Sequence, residues 1–268
     1  MISFALYSIK GGVGKTTSCV NLAYLAAKDG FDTLLWDLDP QSAATFYLGE
    51  KSSVNGSIKE LLHKEETLPE FVKLSKYSNL SYIPGHLKNR HSEILLNDLK
   101  GPKKQFKKII SSVKRQFDYM FMDCPPSLNL LAENLFKSAD YILVPIVPSA
   151  LSERTYEQLF EFFEKENLDL RKIVPFFNLV DLRRKLHLTT MENFRATKPK
   201  ILNNKIPNLS TFEKMGEEQA PVSAFSYNSR ASYAYRSLWQ ELKSMQKLKS
   251  RKSLEASKNE FGNAVFRR

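Results

Sequence analysis

Ile9-Lys10-Gly11-Gly12-Val13-Gly14-Lys15-Thr16-Thr17 is the stretch on which the reading of this 268-residue sequence turns. A short apolar run, Phe4-Ala5-Leu6-Tyr7, precedes it, and a helix-like pattern from Cys19 to Lys28 follows. A strand feeding a glycine-rich turn and then a helix N-terminus is a phosphate-binding device. The glycines let backbone N–H groups crowd round an anion, and the unpaired N–H groups and dipole of the helix favour negative charge. In that frame Gly11, Gly12, Val13, Gly14, Lys15, Thr16 and Thr17 form the cradle. Lys15 reaches the β- and γ-phosphates, and the Thr16 hydroxyl ligates Mg²⁺. Gly14-Lys15-Thr16 is the second half of the G-x-x-x-x-G-K-[ST] pattern. The first half departs from it, with Ile9 at the leading glycine position and an additional lysine, Lys10, beside it.

Working outward, two further strand-like runs end in acid. Thr33-Leu34-Leu35-Trp36 is a continuous apolar run, as expected of a strand buried on both faces, and leads into Asp37-Leu38-Asp39-Pro40-Gln41. Tyr119-Met120-Phe121-Met122 leads into Asp123-Cys124-Pro125-Pro126-Ser127. Acids at the carboxyl ends of buried strands stand where an open α/β sheet places its ligands. An apolar strand ending in aspartate, downstream of a P-loop, supplies the carboxylate that holds the Mg²⁺ shell, which assigns that role to Asp123. Asp37 reads as a structural or supporting group.

The alternation continues. Phe106, Ile109, Ile110, Val113 and Phe117 recur at helical spacing and predict an amphipathic helix from Lys103 to Phe117. A helix is expected over 128–137, a strand over 141–147, a helix over 153–166, a strand over 173–180, a helix to about Arg195 and a strand over 201–207. The closing helix carries Tyr235, Leu238, Leu242 and Met245 on one stripe. This predicts an α/β fold, a three-layer, mostly parallel twisted sheet with helices on both faces, of the P-loop NTPase kind. Residues 50–102 are the least patterned. Short helices are expected at 57–63, 68–74 and 93–99 and a strand at 80–83, with His86, Arg90 and His91 in polar loops. There is no repeat and no linker-like tract, so residues 1–252 read as a single domain and 253–268 as a basic, mobile C-terminal tail.

Composition bounds the partners. Hydrophobic residues at 42% and charged residues at 26% are ordinary for a globular chain. Residues 1–9 lack the pattern of a signal peptide, and no apolar run has spanning length. Cys19 and Cys124 lie far apart with no C-x-x-C spacing, which reads as structural thiols in a cytoplasmic protein. The four histidines form no metal-ligand spacing. A net charge of +11 calls for a polyanionic partner, nucleic acid or an acidic membrane. Basic residues cluster at Arg183-Arg184-Lys185, at Arg195, Lys198 and Lys200, at Arg230 and Arg236, and along the tail. Of these, Arg183, Arg184, Lys185, Arg230 and Arg236 are the candidate DNA contacts.

Lys10-Gly-Gly-Val-Gly-Lys15-Thr-Thr, with D-x-D-P-Q after the second strand and D-x-P-P-S at Asp123, resembles the deviant Walker A motif and partner motifs of the ParA/MinD family of P-loop ATPases. The resemblance covers nearly the whole chain, strongest at 3–49 and 117–150 and weakest at 50–116 and after 245. It implies ATP and Mg²⁺ as cofactors and an ATP-dependent homodimer in which Lys10 reaches the partner's nucleotide. Asp39 positions the attacking water, so the catalytic set is Lys10, Lys15 and Asp39. By the same resemblance Asn178 and Pro207 lie against adenine. Leu179 stands where an N-K-x-D guanine pattern has lysine, which favours ATP over GTP. The resemblance further implies slow hydrolysis stimulated by a centromere-binding or cargo-adaptor protein, non-specific DNA binding on the nucleoid, and segregation or positioning of plasmid, chromosome or other large cargo.

Two other readings compete. A MinD-like membrane-surface ATPase needs a terminal amphipathic helix. Phe261, Ala264, Val265 and Phe266 beside Arg267-Arg268 sketch one, but Asn259, Gly262 and Asn263 weaken it. A small-molecule kinase or ligase on the same scaffold would make steady ATPase activity depend on its phosphate acceptor, and an electron-transfer ATPase is disfavoured because two scattered cysteines do not suggest cluster ligands.

Overall fold

The computed structural model describes residues 1–51, 68–86, 102–197 and 201–246. The helices expected at 57–63 and 93–99, residues Arg90, His91, Lys198 and Lys200, and the tail lie outside them. The chain builds one eight-stranded sheet: β1 (Ile2–Leu6), β2 (Thr33–Asp37), β3 (Lys73–Leu74), β4 (Leu80–Ile83), β5 (Tyr119–Asp123), β6 (Tyr141–Ile146), β7 (Ile173–Val180) and β8 (Lys205–Pro207). Its order is β3-β4-β2-β5-β1-β6-β7-β8, and every pairing is parallel except β3 with β4.

The continuous apolar strands have the cause expected of them, burial on both faces. Along β1 and just past it, Phe4 and Leu6 enter one core and Ala5 and Tyr7 the other, as the two-residue period of a strand demands. The first core packs Phe4, Leu35, Phe121 and Leu143 against the helix Lys15–Lys28 and the C-terminal helical residues 230–246, where Trp239 meets Phe31 and Tyr119 edge-on. The second packs Trp36, Met122 and Val144 under the helices Pro102–Ser111, Leu130–Ser138 and Ala150–Lys165, with Trp36 stacked on Phe106 at 5.6 Å.

Four expectations shift, and His86, expected in an exposed polar loop, is the first: it is buried just past β4. The helix expected at 68–74 is a short 3₁₀ turn, Leu68–Phe71, followed by β3. Pro69 fits a first turn, and the two-residue edge strand then pairs antiparallel with β4. The helix expected to Phe117 stops at Ser111. There Ser112 donates to the Ile109 carbonyl at 2.7 Å, and the chain continues in three-residue turns, although Val113 stays buried on the same stripe. The last strand spans only Lys205–Pro207, because Leu202 donates its N–H to Pro175 and residues 203–204 turn onto Glu241.

Candidate nucleotide site

The parallel register gathers what the sequence spreads over more than a hundred positions. Asp37 at the end of β2 and Leu6 at the end of β1 are both Cα partners of Asp123 at the end of β5. The loop leaving β1 therefore starts beside two aspartates. Leu38 N–H donates to the Asp123 carbonyl at 3.0 Å, and Cys124 N–H to the Leu6 carbonyl, so the three strand exits are tied together.

The loop from Lys10 to Gly14 closes onto the helix that begins at Lys15. Gly14 has φ 82°, and a Cβ there would collide with the Asn178 side-chain amide; both facts require glycine. Asn178 is buried, and its Nδ2 donates to the Val13 carbonyl at 2.7 Å, so it braces the underside of the phosphate loop. A register irregularity in β7 between Phe177 and Val180, with Leu179 at φ 52°, accompanies this contact. The structure thus gives Asn178 a loop-bracing contact the sequence did not suggest. Pro207, expected at the same ligand group, lines a separate cleft of about 200 Å³ with Val180, Leu182, Lys205 and Arg230.

The charges at the strand ends are buried and poorly compensated. Lys15 is 7% exposed and Asp123 fully buried. Neither Asp123 carboxylate oxygen has a hydrogen-bond partner of good geometry among the described residues. Burial first, then the neighbouring Asp37, holds the Asp123 carboxyl well above the usual range, while the Thr16 hydroxyl and Lys15 pull it down. Burial pushes Lys15 down, opposed chiefly by Asp123. Asp37 is pushed up to about 6 by burial, against two hydrogen bonds from Thr45. An orphaned carboxylate facing a hydroxyl and an ammonium at a helix N-terminus fits a Mg²⁺ ion that also ligates phosphate. Thr16 and Asp123 are the residues that would hold it.

Asp39 sits at the rim, half-buried, with its Oδ1 accepting from Gln41 N–H at 2.9 Å. Lys10 is half-exposed, and its ammonium has no partner among the described residues. Of the candidate DNA contacts, Arg183 is engaged: its guanidinium makes two bonds to Asp181, each at 2.9 Å. Arg184 and Lys185 next to it are exposed. Asp181 N–H donates to His187 Nδ1, which fixes the turn that carries them. Arg236 lies over Tyr227 at 4.3 Å, and Arg230 is exposed beside the cleft that holds Pro207.

Known proteins resemble this chain in sequence and fold. A family model described as an AAA domain matches residues 1–174. The virulence plasmid ParA family protein pGP5-D of Chlamydia psittaci is 30% identical over 254 residues, covering 90% of this chain and 94% of its own. The chain belongs to the ParA family of partition and positioning ATPases. The sporulation initiation inhibitor protein Soj of Bacillus subtilis is 29% identical to this ParA-family chain over 244 residues, 89% of this chain and 96% of Soj. In fold, a plasmid partition protein of Borrelia burgdorferi B31 bound to AMPPNP matches with a TM-score of 0.80 at 24% identity, over 91% of this chain and 99% of the other. No helix among the described residues is long and apolar enough to cross a membrane.

Thr45, bonded to Asp37, and Gly85, bonded to Thr45, were missed by sequence reasoning. Thr45 lies eight residues from the carboxylate it serves and Gly85 on another strand's exit, so no local spacing marks either.

Proposed function

We propose that this chain is a Mg²⁺-dependent ATPase that closes into a homodimer on ATP and binds DNA without sequence preference. In this reading it segregates or positions plasmid, chromosome or other large cargo on the nucleoid in the cytoplasm. A centromere-binding or cargo-adaptor protein stimulates its hydrolysis. The observation that carries the ATPase reading is the orphaned, fully buried Asp123 carboxylate beside Thr16 and Lys15. Lys15 binds the β- and γ-phosphates and the loop N–H groups from Gly11 to Thr17 hold their oxygens. Mg²⁺, when bound, neutralises charge developing on the transferred phosphoryl group. Asp39, at the rim, orients the attacking water. Lys10, whose ammonium has no partner among the described residues, reaches the partner's nucleotide. Pro207 lies against the base, and Asn178 acts on the site through its brace beneath the loop.

DNA binding rests on charge. Arg184, Lys185 and Arg230 are exposed without a carboxylate partner among the described residues, while Arg183 and Arg236 stand beside them already held in place. A dimer closed through the nucleotide faces duplicates these clusters. The membrane-surface alternative draws on Leu182, Leu186 and Leu188, exposed at 44%, 58% and 40% around the same basic run. Fluorescence anisotropy of two unrelated duplexes, across salt and with ATP or ADP, separates the two. The DNA reading expects equal affinity for both duplexes, preference for ATP, and a log–log salt slope of roughly 0.7–0.9 per phosphate contact. Absence of DNA binding at low salt with ATP, together with binding to anionic vesicles, contradicts it.

A further inference from the structure

Asp37 does more than end a strand. One of its oxygens, Oδ1, accepts from the N–H of Asp39 at 3.3 Å. The other, Oδ2, accepts from the N–H of Thr45 at 2.8 Å and from its hydroxyl at 2.7 Å. The carboxylate thereby closes the loop from 38 to 44 at both ends. Within the loop, Ser42 N–H donates to the Asp39 carbonyl at 2.9 Å, and Ser42 adopts φ 55°, a left-handed conformation uncommon for serine.

The Thr45 hydroxyl is also an acceptor. It takes the N–H of Gly85, just past β4, at 2.9 Å. Thr45 is 1% exposed, so no solvent replaces this bond if it is lost. Gly85 is pressed onto the same loop: a Cβ on it would lie 2.6 Å from Ser42 Oγ and 2.7 Å from Ser42 Cα. Those are distances at which backbone must move. A chain of hydrogen bonds therefore runs from Gly85 through the Thr45 hydroxyl and the Asp37 carboxylate to the backbone N–H of Asp39. A steric contact runs beside it from Gly85 to Ser42.

We propose that Thr45 and Gly85 are positioning residues for Asp39, through which the exit of β4 sets the hydrolysis rate without touching nucleotide. This rests on the reading of Asp39 as the group that orients water. The phosphate cradle is on a different loop, after β1, so a shift of the 38–44 loop changes turnover more than affinity. A segment joined to Gly85 thereby gains a mechanical route to the catalytic loop.

The test combines single-turnover ATP hydrolysis, ATP–Mg²⁺ affinity and amide hydrogen exchange of the nucleotide-free protein, on Thr45→Val, Thr45→Ser and Gly85→Ala. Thr45→Val keeps the shape and removes the hydroxyl. It is expected to slow hydrolysis by about tenfold to a hundredfold, with affinity held within about twofold. It also speeds exchange at the amides of Asp39 and Thr45. Thr45→Ser restores both, and Gly85→Ala slows hydrolysis through the contact with Ser42. Wild-type hydrolysis in both Thr45→Val and Gly85→Ala overturns the proposal. So does a loss of affinity matching the loss of rate, which marks a general distortion. If Thr45→Val does not fold, Gly85→Ala and the Thr45→Ser exchange pattern decide. Asp39→Ala in the same assay separates the two readings. A normal rate in that variant removes Asp39 from the mechanism, while exchange at residues 38–46 still reports whether Thr45 and Gly85 hold the loop.

Discussion

Two regions of this molecule hold carboxylates against the sheet, and they do so in opposite ways. Behind the sheet, where the first helix meets the C-terminal helix, the carboxylates of Asp29 and Glu241 are answered. Asp29 accepts from Trp239 Nε1 at 2.8 Å and from Lys243. Glu241 accepts from the N–H groups of Asn203 and Asn204 and from the Asn204 amide. Ser18 is bonded to the Tyr235 hydroxyl at 3.0 Å. At the front, where β1, β2 and β5 end, neither Asp123 oxygen has a hydrogen-bond partner of good geometry among the described residues, and Lys15 is desolvated. Unpaired buried charge costs several kcal/mol per ion, so a fold keeps it only where something else completes it. The difference teaches which polar cluster is architecture and which is a site.

The comparison can be broken most forcefully at Lys15. Lys15→Ala is expected to lower ATP affinity by about a hundredfold or more, since it removes the charge-assisted contact to the terminal phosphates. Titration with a fluorescent ATP analogue reads the loss, and unchanged affinity would place the phosphates elsewhere.

A smaller effect sharpens the contrast through pH. The Asp37 carboxyl is raised from 3.8 to about 6 in the folded protein, chiefly by burial. A raised acid binds its proton more tightly folded than unfolded, so its contribution is fully present below about pH 4 and is lost as pH rises through 6. The nucleotide-free protein should therefore lose about 2–3 kcal/mol from this group between pH 4 and 7, read by urea denaturation. Asp37→Asn should reduce that slope, leaving the part that the raised Asp123 carboxyl contributes, and an unchanged slope would assign it to another group.

The smallest expected effect lies behind the sheet. Asp29→Ala removes the acceptor of Trp239 and Lys243, and should cost about 1–2 kcal/mol of stability. ATP affinity should stay at the wild-type value. A change in affinity would mean that the two regions are coupled.

Much of this was legible in the chain. Gly14, Lys15 and Thr16 announce a phosphate cradle because local spacing suffices to build one, and the apolar runs before Asp37 and Asp123 announce buried parallel strands. The sheet class follows from the alternation of those runs with amphipathic stretches. What could not be read is whatever depends on register or on a distant chain segment. No spacing says that Asp37 and Asp123 become neighbours, that Asn178 slides beneath Val13, or that Gly85 meets the Thr45 hydroxyl. Edge elements were read least well, because β3 and β8 are so short that their ends are set by side-chain and backbone contacts rather than by a pattern.

Whether the charge at the strand ends holds Mg²⁺ and nucleotide is decided at Asp123. ATP affinity is measured by equilibrium titration with Mg²⁺ and with EDTA, for the wild-type chain and for Asp123→Asn, with folding checked by circular dichroism. The account predicts that Mg²⁺ strengthens ATP binding to the wild type and that Asp123→Asn, still folded, loses that enhancement while keeping its metal-free affinity. A folded Asp123→Asn protein with the full Mg²⁺ enhancement, or a wild type that binds no ATP at all, would contradict it.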